Sequence, residues 1–539
     1  MGFKNLLTES PMASFGKRIQ AAPREVIFNR NLILTTILYA SAAIPATWDQ
    51  GMASAVPTLP GFQQHFGISS GSNAKAIRNF VSIVYIGYAT GSLVSFFIND
   101  RLGRLWSYRL YLAVWALGQI VATLAPALGG LYASRIITGI GIGALTVTGP
   151  MAIVEIAPPE IRGLLTAWFT VSMSVALVSA DFCVYGVFKH VSTSRLQYQI
   201  VFFSPCVFLF FAVIASFFLC ESPRWLCLLD RHDDAVRTLE RLRGLPASHP
   251  RMQQELSEIQ QSIALEKEHH GAGNHNDISS IIKETFLVPS NLRRVQQTFL
   301  SYALAQLSGA SSVTSYFIPI LKIMGVSSGG SRSIFLSAMY AVSKLVFSTI
   351  ASFLFIDVLG RRKSLFIGIA TQMVTDIYIG IYIKFKQEGD ASAASSRAAL
   401  ALIFIHAFGY AVGLLSLPYV FGAELWPNRI RSFGGALSQS FHWLFIYAMT
   451  YGVPSLLANT NNWGAFIFFA SWCFIALIYV YVAVPELAGL SVEDIDVLFK
   501  GPWFNAYTRS KPPTEITTVD DESMRVISHQ RQGMVDKKN

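Results

Sequence analysis

Asn99-Asp100-Arg101-Leu102-Gly103-Arg104 and Asp357-Val358-Leu359-Gly360-Arg361-Arg362-Lys363 are two charged turns, and each lies between long apolar runs. They are separated by about half the chain length, which predicts two halves built on one plan. A tight reversal between apolar helices needs Gly, and Asp and Arg can pair at a membrane face. One such turn also fits a solvated loop, but two at matching places indicate the internal repetition of many transporter folds.

The composition indicates a membrane protein. Its 539 residues are 52% hydrophobic with a mean hydropathy of +0.43, and only 14% are charged, whereas soluble domains carry about 25%. The formal charge of +10 is spread over short loops instead of forming one basic face, which argues against a nucleic-acid partner and fits a positive-inside membrane protein. The five scattered cysteines have no metal-ligand spacing and predict neither a disulfide nor a zinc framework.

Twelve apolar stretches are long enough to cross a bilayer, for which about 20 residues suffice. Six lie in residues 32–220 and six in residues 295–485, so the sequence predicts an all-α polytopic membrane protein. The predicted spans are 32–56, 77–98, 109–128, 130–152, 164–187, 199–220, 296–321, 333–356, 365–385, 398–420, 433–457 and 464–484.

Three polar segments flank the two halves. Residues 1–31 are polar and basic and lead into a full-length apolar segment, which predicts a retained signal anchor instead of a cleaved signal peptide. Residues 221–294 form a charged central loop, in which 227–267 has the pattern of amphipathic helix and Gly271 to Asp277 that of a loop. Residues 486–539 form a tail whose polar part, from Lys500 onward, is expected to be disordered.

An even number of spans places both termini on one side of the membrane. The short connections, counted with the residues at the span ends, carry equal numbers of Lys and Arg on the two sides, nine each. The N-terminal segment adds five, the tail seven and the central loop ten, all on one side. The positive-inside rule therefore predicts that the termini and the central loop are cytoplasmic.

A charge inside the bilayer is costly and is a functional hypothesis by default. Asp49 in the first span and Arg135 in the fourth are expected to pair, since neither would stay ionised alone in a dry interior. Protonation of Asp49 would release Arg135, which makes the pair a candidate proton switch; a static pair that fixes helix packing is the alternative. Gly139, Gly141 and Gly143 follow Arg135 and have no side chains. They predict that a neighbouring helix packs closely against one face of this helix.

Three further charges fall inside predicted spans. Asp181 and Asp376 either face a solute cavity or are hydrated near the membrane rims. Lys344 lies in the middle of its span, where its side chain either reaches toward the interface or attracts a carboxylate substrate.

These residues belong to ordered motifs, and over nearly its full length the chain resembles the sugar porters of the major facilitator superfamily. The matching segments are Trp48-Asp49-Gln50-Gly51, 100–104, 150–163, Glu221-Ser222-Pro223-Arg224-Trp225-Leu226, Gln306-Leu307-Ser308-Gly309, 357–362, 424–431, Pro485-Glu486-Leu487-Ala488-Gly489 and 492–496. Lys344 and the terminal Phe499-Lys500-Gly501-Pro502-Trp503-Phe504 resemble the fungal quinate-permease-like branch.

The resemblance implies two pseudo-symmetric six-helix bundles and alternating access, often with proton symport. Asp49 would be the proton site and Arg135 its partner. Charged residues at the helix ends would form ion pairs that hold the cytoplasmic gate closed, here called the inner latch; the alternative is that they only solubilise the loops. The expected latch residues are Asp100, Arg104, Glu155, Arg162, Glu221, Arg224, Asp357, Arg361, Arg362, Glu424, Arg431 and Glu486.

The two copies of the latch motif differ. Leu105 stands where a second Arg is common in the family, whereas Arg362 keeps that Arg in the second half. We therefore expect the second-half copy of the inner latch to be the stronger one.

The resemblance also assigns solute-binding positions, and several depart from the family pattern. They are Thr170, Gln306, Ser311, Tyr316 and Tyr419, to which the charge argument adds Lys344. Thr, Ser and Tyr replace residues that are usually Gln, Asn, Tyr and Trp, so several amide groups that would meet a ring of hydroxyls are missing. Transport is therefore better supported than hexose as the solute, and a pentose, a polyol or a hydroxylated carboxylate such as quinate is compatible.

The leading hypothesis is a proton symporter for a sugar, polyol or quinate-like solute, at the plasma membrane. An uncoupled facilitator of the same fold and a non-transporting nutrient sensor are the alternatives. An enzyme is the least favoured, since no His pair has the spacing of a zinc protease motif. We expect no metal and no cofactor, and as partners the solute, protons and the lipid bilayer around a monomer.

Overall fold

The computed structural model describes residues 24–68, 74–269, 278–326, 330–351, 361–415, 425–427 and 430–484, and every regular element in these ranges is helical. The first half contains α1 (Arg24–Ile27), α2 (Arg30–Ala40), α3 (Ile44–Ala55), α4 (Pro60–Phe66), α5 (Ala74–Ser82), α6 (Val84–Leu102), α7 (Arg104–Leu124), α8 (Leu128–Ile156), α9 (Arg162–His190) and α10 (Leu196–Ser216). Short 3-10 turns at Ser41–Ala43 and Val56–Thr58 flank α3.

The segment between the halves and the second half are helical as well. The segment contains α11 (Pro223–Leu228), α12 (His232–Arg243), α13 (Pro250–His269) and α14 (Ile278–Leu287). The second half contains α15 (Pro289–Leu307), α16 (Ala310–Ser315), α17 (Phe317–Ile323), α18 (Ser331–Ile350), α19 (Arg361–Glu388), α20 (Ala393–Val412), α21 (Arg431–Asn459) and α22 (Trp463–Ala483).

Each of the twelve predicted spans coincides with a helix or with a run of helices broken by short turns. In the described part of the chain, nine helical stretches are long and apolar enough to cross a membrane. The other three predicted spans are occupied by α7, by α15 to α17 and by α21. The ends of two predicted spans, 352–356 and 416–420, lie outside the described residues.

The seventh span is broken by a glycine. Gly309 has φ +83°, a left-handed conformation that glycine adopts without steric cost. A Cβ at this position would collide with the Phe469 ring on α22. The break therefore ends α15 and starts α16, and it lets the backbone approach α22 closely.

Glycines also bring α8 against two neighbours. A side chain at Gly143 would meet the carbonyl oxygen of Tyr88 on α6, and one at Gly139 would meet Gly87 on the same helix. Gly141 instead faces α7, where a Cβ would lie 2.7 Å from the backbone nitrogen of Trp115. The glycines therefore thin two faces of α8, and the prediction of a single face was wrong because alternate residues on a helix point about 200° apart.

The two halves pack together along two helix pairs. α9 lies along α18, where the Ser174 and Ser348 hydroxyls are 2.7 Å apart. α6 lies along α21, where the Tyr85 ring stacks on Trp443 with 6.1 Å between centroids and 11° between planes. These contacts make the two halves one packed structure with polar and aromatic groups at the junction.

The stretch predicted as amphipathic helix, 227–267, is divided between α11, α12 and α13. Asp230 at φ +57° and Gly244 at φ +70° interrupt it in left-handed conformations. Ala235, Leu239 and Leu242 are buried on the inner face of α12 as the periodicity predicts, whereas Leu229 is 45% exposed. The predicted loop from Gly271 to Asp277 and the tail 486–539 lie outside the described residues.

Candidate functional site

Asp49 and Arg135 meet inside the first half. Asp49 lies on α3, Arg135 lies on α8, and their side chains are 1% and 2% exposed. Arg135 Nη1 donates to Asp49 Oδ1, and Nη2 donates to Oδ2 at 3.1 Å. Arg135 Nε donates to the Phe80 carbonyl at 2.9 Å, and the guanidinium lies over the Phe80 ring. The carboxylate is thus held at two points, and protonating it would remove the charge that Arg135 faces.

The pair is adjacent to the junction between the halves. The Tyr88 hydroxyl lies beside the Asp49 carboxylate, and the Tyr88 ring packs edge-on against Trp443 with 4.6 Å between centroids. Since Trp443 belongs to the second half, a change in the charge of Asp49 has a short physical route to that interface.

Three predicted solute-binding residues lie around the break in the seventh span. Gln306 ends α15 and is fully buried, and within the described part of the chain its amide oxygen and nitrogen make no hydrogen bond of ordinary length and angle. Ser311 lies on α16, and Tyr316 donates its hydroxyl to the Thr450 carbonyl at 2.7 Å. The Tyr410 hydroxyl on α20 lies near both Gln306 and Ser311. The unmet amide of Gln306 is the kind of group that a hydroxylated solute would satisfy.

Lys344 joins this group from α18. It is half-buried, its Nζ donates to the Thr314 hydroxyl at 3.1 Å, and it lies 5.8 Å from the centroid of the Tyr410 ring. The structure therefore does not support the alternative in which the Lys344 side chain reaches toward the membrane interface. Sequence reasoning did not identify Tyr410, because its only signal was a place on an apolar helix, nine residues before Tyr419.

Thr170 and Tyr419 are not placed in this group. Thr170 is half-buried on α9, where its carbonyl accepts the Ser174 hydroxyl at 3.1 Å, and no hydrogen bond within the described residues joins it to Gln306. Tyr419 lies outside the described residues.

Asp181 and Asp376 are both buried, at 3% and 0% exposure, so the hydrated-rim alternative was wrong for both. Asp181 on α9 accepts the Ser337 hydroxyl from α18 at 2.8 Å, and it is close enough to Lys344 for their charges to interact. Asp376 on α19 has one oxygen 3.5 Å from His406 Nε2 on α20. Helix packing in the second half brings Asp376 and His406 together, and periodicity alone does not reveal this contact.

Arg104 lies at the centre of the predicted first-half copy of the inner latch. Its Nε and Nη2 donate to the two carboxylate oxygens of Glu155 at 2.8 and 2.7 Å. Its Nη1 donates to Asp100 Oδ1 at 3.1 Å and to the Asn99 carbonyl at 3.2 Å. The start of α7 is therefore tied to the end of α8 by a forked ion pair, which is the strong geometry for arginine.

Glu221 binds the same turn through the backbone. Its carboxylate accepts the backbone N–H groups of Arg104 and Leu105, both at 3.0 Å, and that of Ser222 at 2.9 Å. Burial raises the pKa of the Glu221 carboxyl above its usual value, and these hydrogen bonds and Arg104 oppose that rise. Gly103 has φ +86°, and a Cβ there would lie 2.8 Å from Glu221, so glycine is required for this approach.

The other predicted latch residues that the structure describes lie apart from the Arg104 ion pair. Arg162 is exposed and forms no ion pair within the described part of the chain, and Arg224 is half-buried on α11. Arg362 Nη2 donates to the Tyr481 carbonyl at 2.7 Å, and Arg431 Nε donates to the Trp426 carbonyl at 3.4 Å. The residues outside the description are Asp357, Glu424, Glu486 and the side chain of Arg361.

Two ion pairs were not anticipated from the sequence. Arg243 is 1% exposed and donates to Glu255 at 3.0 and 2.5 Å and to the Ile156 carbonyl at 2.9 Å. Arg251 donates to both oxygens of Glu160 at 2.8 and 2.9 Å. Both arginines come from the central segment and contact the first half, Arg243 at the Ile156 carbonyl and Arg251 at Glu160. These contacts span some ninety residues, which local spacing cannot reveal. Among the described residues, no three His, Cys, Asp or Glu side chains are grouped as a metal site.

The helices, the intramembrane charges and the packed halves define a polytopic membrane transporter. Residues 35–499 match the family model described as Sugar (and other) transporter, and the chain belongs to this family. The quinate permease of Emericella nidulans is 27% identical over 499 residues, which cover 90% of this chain and 92% of that one. The probable quinate permease of Aspergillus niger is 28% identical over 491 residues, 89% of each chain.

Solved structures show the same fold. The major facilitator superfamily proton:xylose symporter XylE bound to 6-bromo-6-deoxy-D-glucose matches with a TM-score of 0.71 at 19% identity, covering 86% of this chain and 99% of that one. The inward open conformation of the xylose transporter XylE from E. coli matches with a TM-score of 0.68 at 19% identity, covering 87% and 99%. These likenesses confirm the predicted twelve-helix fold of the major facilitator superfamily.

Proposed function

We propose that the protein is a proton symporter that moves a hydroxylated solute by alternating access, with Asp49 as the proton site. The observation that supports this best is the two-point pair between Asp49 and Arg135, buried beside the junction with the second half. A buried pair of this kind is costly to desolvate, and switching is a recognised use for such groups in membranes. The proposal places the protein in the plasma membrane, with its termini and central segment in the cytoplasm.

The alternating cycle follows from the charge of Asp49. When Asp49 is ionised, its two carboxylate oxygens accept hydrogen bonds from the Arg135 guanidinium, and this pair holds α8 against α3. Protonation removes that attraction and leaves Arg135 with the Phe80 carbonyl and ring. Repacking of α8 against α3 then changes how α6 meets α21 through Tyr88 and Trp443.

The solute we propose is a hydroxylated carboxylate of the quinate type, bound near Gln306, Ser311, Tyr410 and Lys344. The buried amide of Gln306 and the two hydroxyls offer hydrogen bonds to a polyol ring. The Lys344 ammonium offers the charge that a carboxylate needs, and Asp181 limits the cost of keeping that ammonium in the membrane. The names of the fungal relatives agree with this class. Sugars and uncharged polyols remain the alternative solutes.

The test of coupling uses purified protein in proteoliposomes with quinate as the first probe. A symporter accumulates quinate above its outside concentration when the outside is more acidic, and a protonophore abolishes that accumulation. Equal rates of uptake with and without the gradient would identify a facilitator instead. A thermal-shift screen of sugars, polyols and hydroxy acids selects the probe if quinate does not bind.

A further inference from the structure

A basic cavity lies on the side of the membrane that carries the central segment. It occupies about 400 Å³ where the start of α7 meets α11 and α12. Its charged lining consists of Arg109, Arg231, Arg237, Arg241, Glu221 and Asp234. Because Glu221 is already engaged by backbone N–H groups of the latch, the charge left facing the cavity is predominantly positive.

The arginines on α12 are arranged on one face. Asp234, Arg237, Thr238 and Arg241 follow the i, i+3, i+4, i+7 spacing of a single helix stripe, and all four line the cavity. The opposite face of α12 is buried, so the helix cannot rotate the stripe away. The packing therefore holds two guanidiniums and a hydroxyl in one place.

These guanidiniums have unused hydrogen-bonding capacity. Arg231 takes one oxygen of Asp234 at 2.6 Å, and Arg237 is 3.8 Å from the other, with 74% of its side chain exposed. Within the described part of the chain, the Arg241 side chain forms no hydrogen bond or ion pair. One carboxylate thus lies beside two of the arginines, and Arg241 lines the same cavity, which leaves donors suited to a doubly or multiply charged anion.

The cavity adjoins a surface of exposed aromatic side chains. Trp106 on α7 and Phe217 and Phe218, just after α10, are 58%, 60% and 80% exposed, at the ends of two membrane helices. The Arg109 guanidinium lies 4.6 Å from the Trp106 ring and 3.9 Å from the Phe217 ring, and it donates to Ser216. Exposed aromatic rings at this level are typical of the boundary between headgroups and acyl chains.

We propose that this cavity binds the headgroup phosphate of an anionic phospholipid, with the acyl chains lying over Trp106 and Phe217. Arg237 and Arg241 contact the phosphate, and Arg109 closes the membrane side of the cavity. Basic pockets at helix ends attract anionic headgroups, and guanidinium forks match phosphate oxygens. The proposal does not depend on which solute is transported or on proton coupling.

The position of the lipid gives it a structural consequence. Leu105, Glu221 and Trp225 line the cavity, and the same three residues hold the turn that carries Arg104. A headgroup in the cavity therefore contacts the latch directly and stabilises the arrangement in which Arg104 is bound to Glu155.

The test is native mass spectrometry of the full-length protein in detergent, titrated with phosphatidylinositol or with phosphatidylcholine. Wild type is expected to retain one phosphatidylinositol that phosphatidylcholine does not replace. Arg237→Ala with Arg241→Ala is expected to weaken that binding about thirtyfold, on the scale of two basic side chains facing an anionic lipid. Both side chains are exposed, so the variant should fold, and its elution as a single monodisperse species verifies this.

Three controls make the result decisive. Arg24→Ala with Arg30→Ala removes the same charge from exposed positions on the same side but outside the cavity, and it should bind as wild type. Arg237→Lys with Arg241→Lys keeps the positive charge but loses the bidentate geometry of the guanidinium groups. Lipid binding between that of wild type and that of the double-alanine variant is therefore expected. Inorganic phosphate at the lipid concentration should not displace the lipid. Equal binding by wild type and the double-alanine variant, equal loss in the control pair, or displacement by phosphate alone would each overturn the proposal.

Discussion

Arg104 and Glu155 form a forked ion pair in which two guanidinium nitrogens donate to two carboxylate oxygens, at 2.7 and 2.8 Å. The Arg104 side chain is 3% exposed and that of Glu155 is 10% exposed, so water screens the pair poorly. The pair ties the start of α7 to the end of α8. It is the part of the predicted inner latch that the structure describes most fully.

Replacing Glu155 with Gln should destabilise the purified protein strongly. Breaking a buried pair while leaving one charge behind costs about 3–5 kcal/mol, so the melting temperature and the transport rate should both fall. Glu160→Gln is the matched control, because the Glu160 and Arg251 side chains are 27% and 24% exposed and a better solvated pair should lose less stability when it is broken. If Glu155→Gln has a melting temperature no lower than that of Glu160→Gln, the ion pair between Arg104 and Glu155 does not stabilise the protein as predicted.

The two copies of the latch should contribute unequally. Arg361→Ala is expected to reduce initial uptake rates more than Arg104→Ala, because Arg362 adds to the second-half copy a guanidinium that Leu105 cannot provide. Leu105 has no charge to offer, and its backbone N–H donates to Glu221. Uptake by both variants is compared at equal amounts of folded protein. A larger loss in Arg104→Ala would reverse the predicted order.

Close packing of α6 and α8 should make Gly143 intolerant of a side chain. Gly143→Ala places a methyl group on the Tyr88 carbonyl, and such overpacking costs about 1–3 kcal/mol. Gly186→Ala on α9 is the control, since a Cβ there meets nothing within 4 Å; its expected effect is neutral or slightly stabilising. Thermal melting of the two variants in the same detergent measures the difference, and equal melting temperatures would show that α6 and α8 can separate without cost.

Lys344 should distinguish charged from uncharged solutes. Lys344→Ala is expected to weaken binding of a quinate-like acid by about tenfold to a hundredfold, the scale of a hydrogen bond to a charged group, and to change binding of an uncharged polyol little. Lys384→Ala, a lysine near the end of α19 that lies over Trp463, is the control. Binding of the acid that survives Lys344→Ala unchanged would remove Lys344 from the solute site.

The fold follows from the sequence because hydrophobic length and repeated turns are local properties. Twelve spans and the paired motifs at Asp100 and Asp357 are enough to predict it, and the Sugar (and other) transporter match over residues 35–499 agrees. The meeting of Asp49 with Arg135 was also expected, since a buried charge needs an opposite one. The structure shows that contact, while its role in proton coupling stays a prediction.

Other features depend on how helices rotate and pack, which hydropathy does not determine. The burial of Asp181 and Asp376 and the approach of Tyr410 to Gln306 arise from helix faces in different parts of the chain. The division of 227–267 comes from Asp230 and Gly244, whose left-handed conformations interrupt an otherwise continuous amphipathic pattern. Solute identity is the least predictable property, because it depends on a few side chains in one cavity.

The account rests on Asp49 as the proton site, and solute-driven proton flux tests this most directly. Proteoliposomes with wild type should alkalinise a weakly buffered outside medium when the solute is added. Asp49→Asn should abolish that alkalinisation while retaining exchange of labelled solute for unlabelled solute, because a neutral side chain at position 49 mimics the protonated state. Alkalinisation by Asp49→Asn equal to that of wild type would contradict the account.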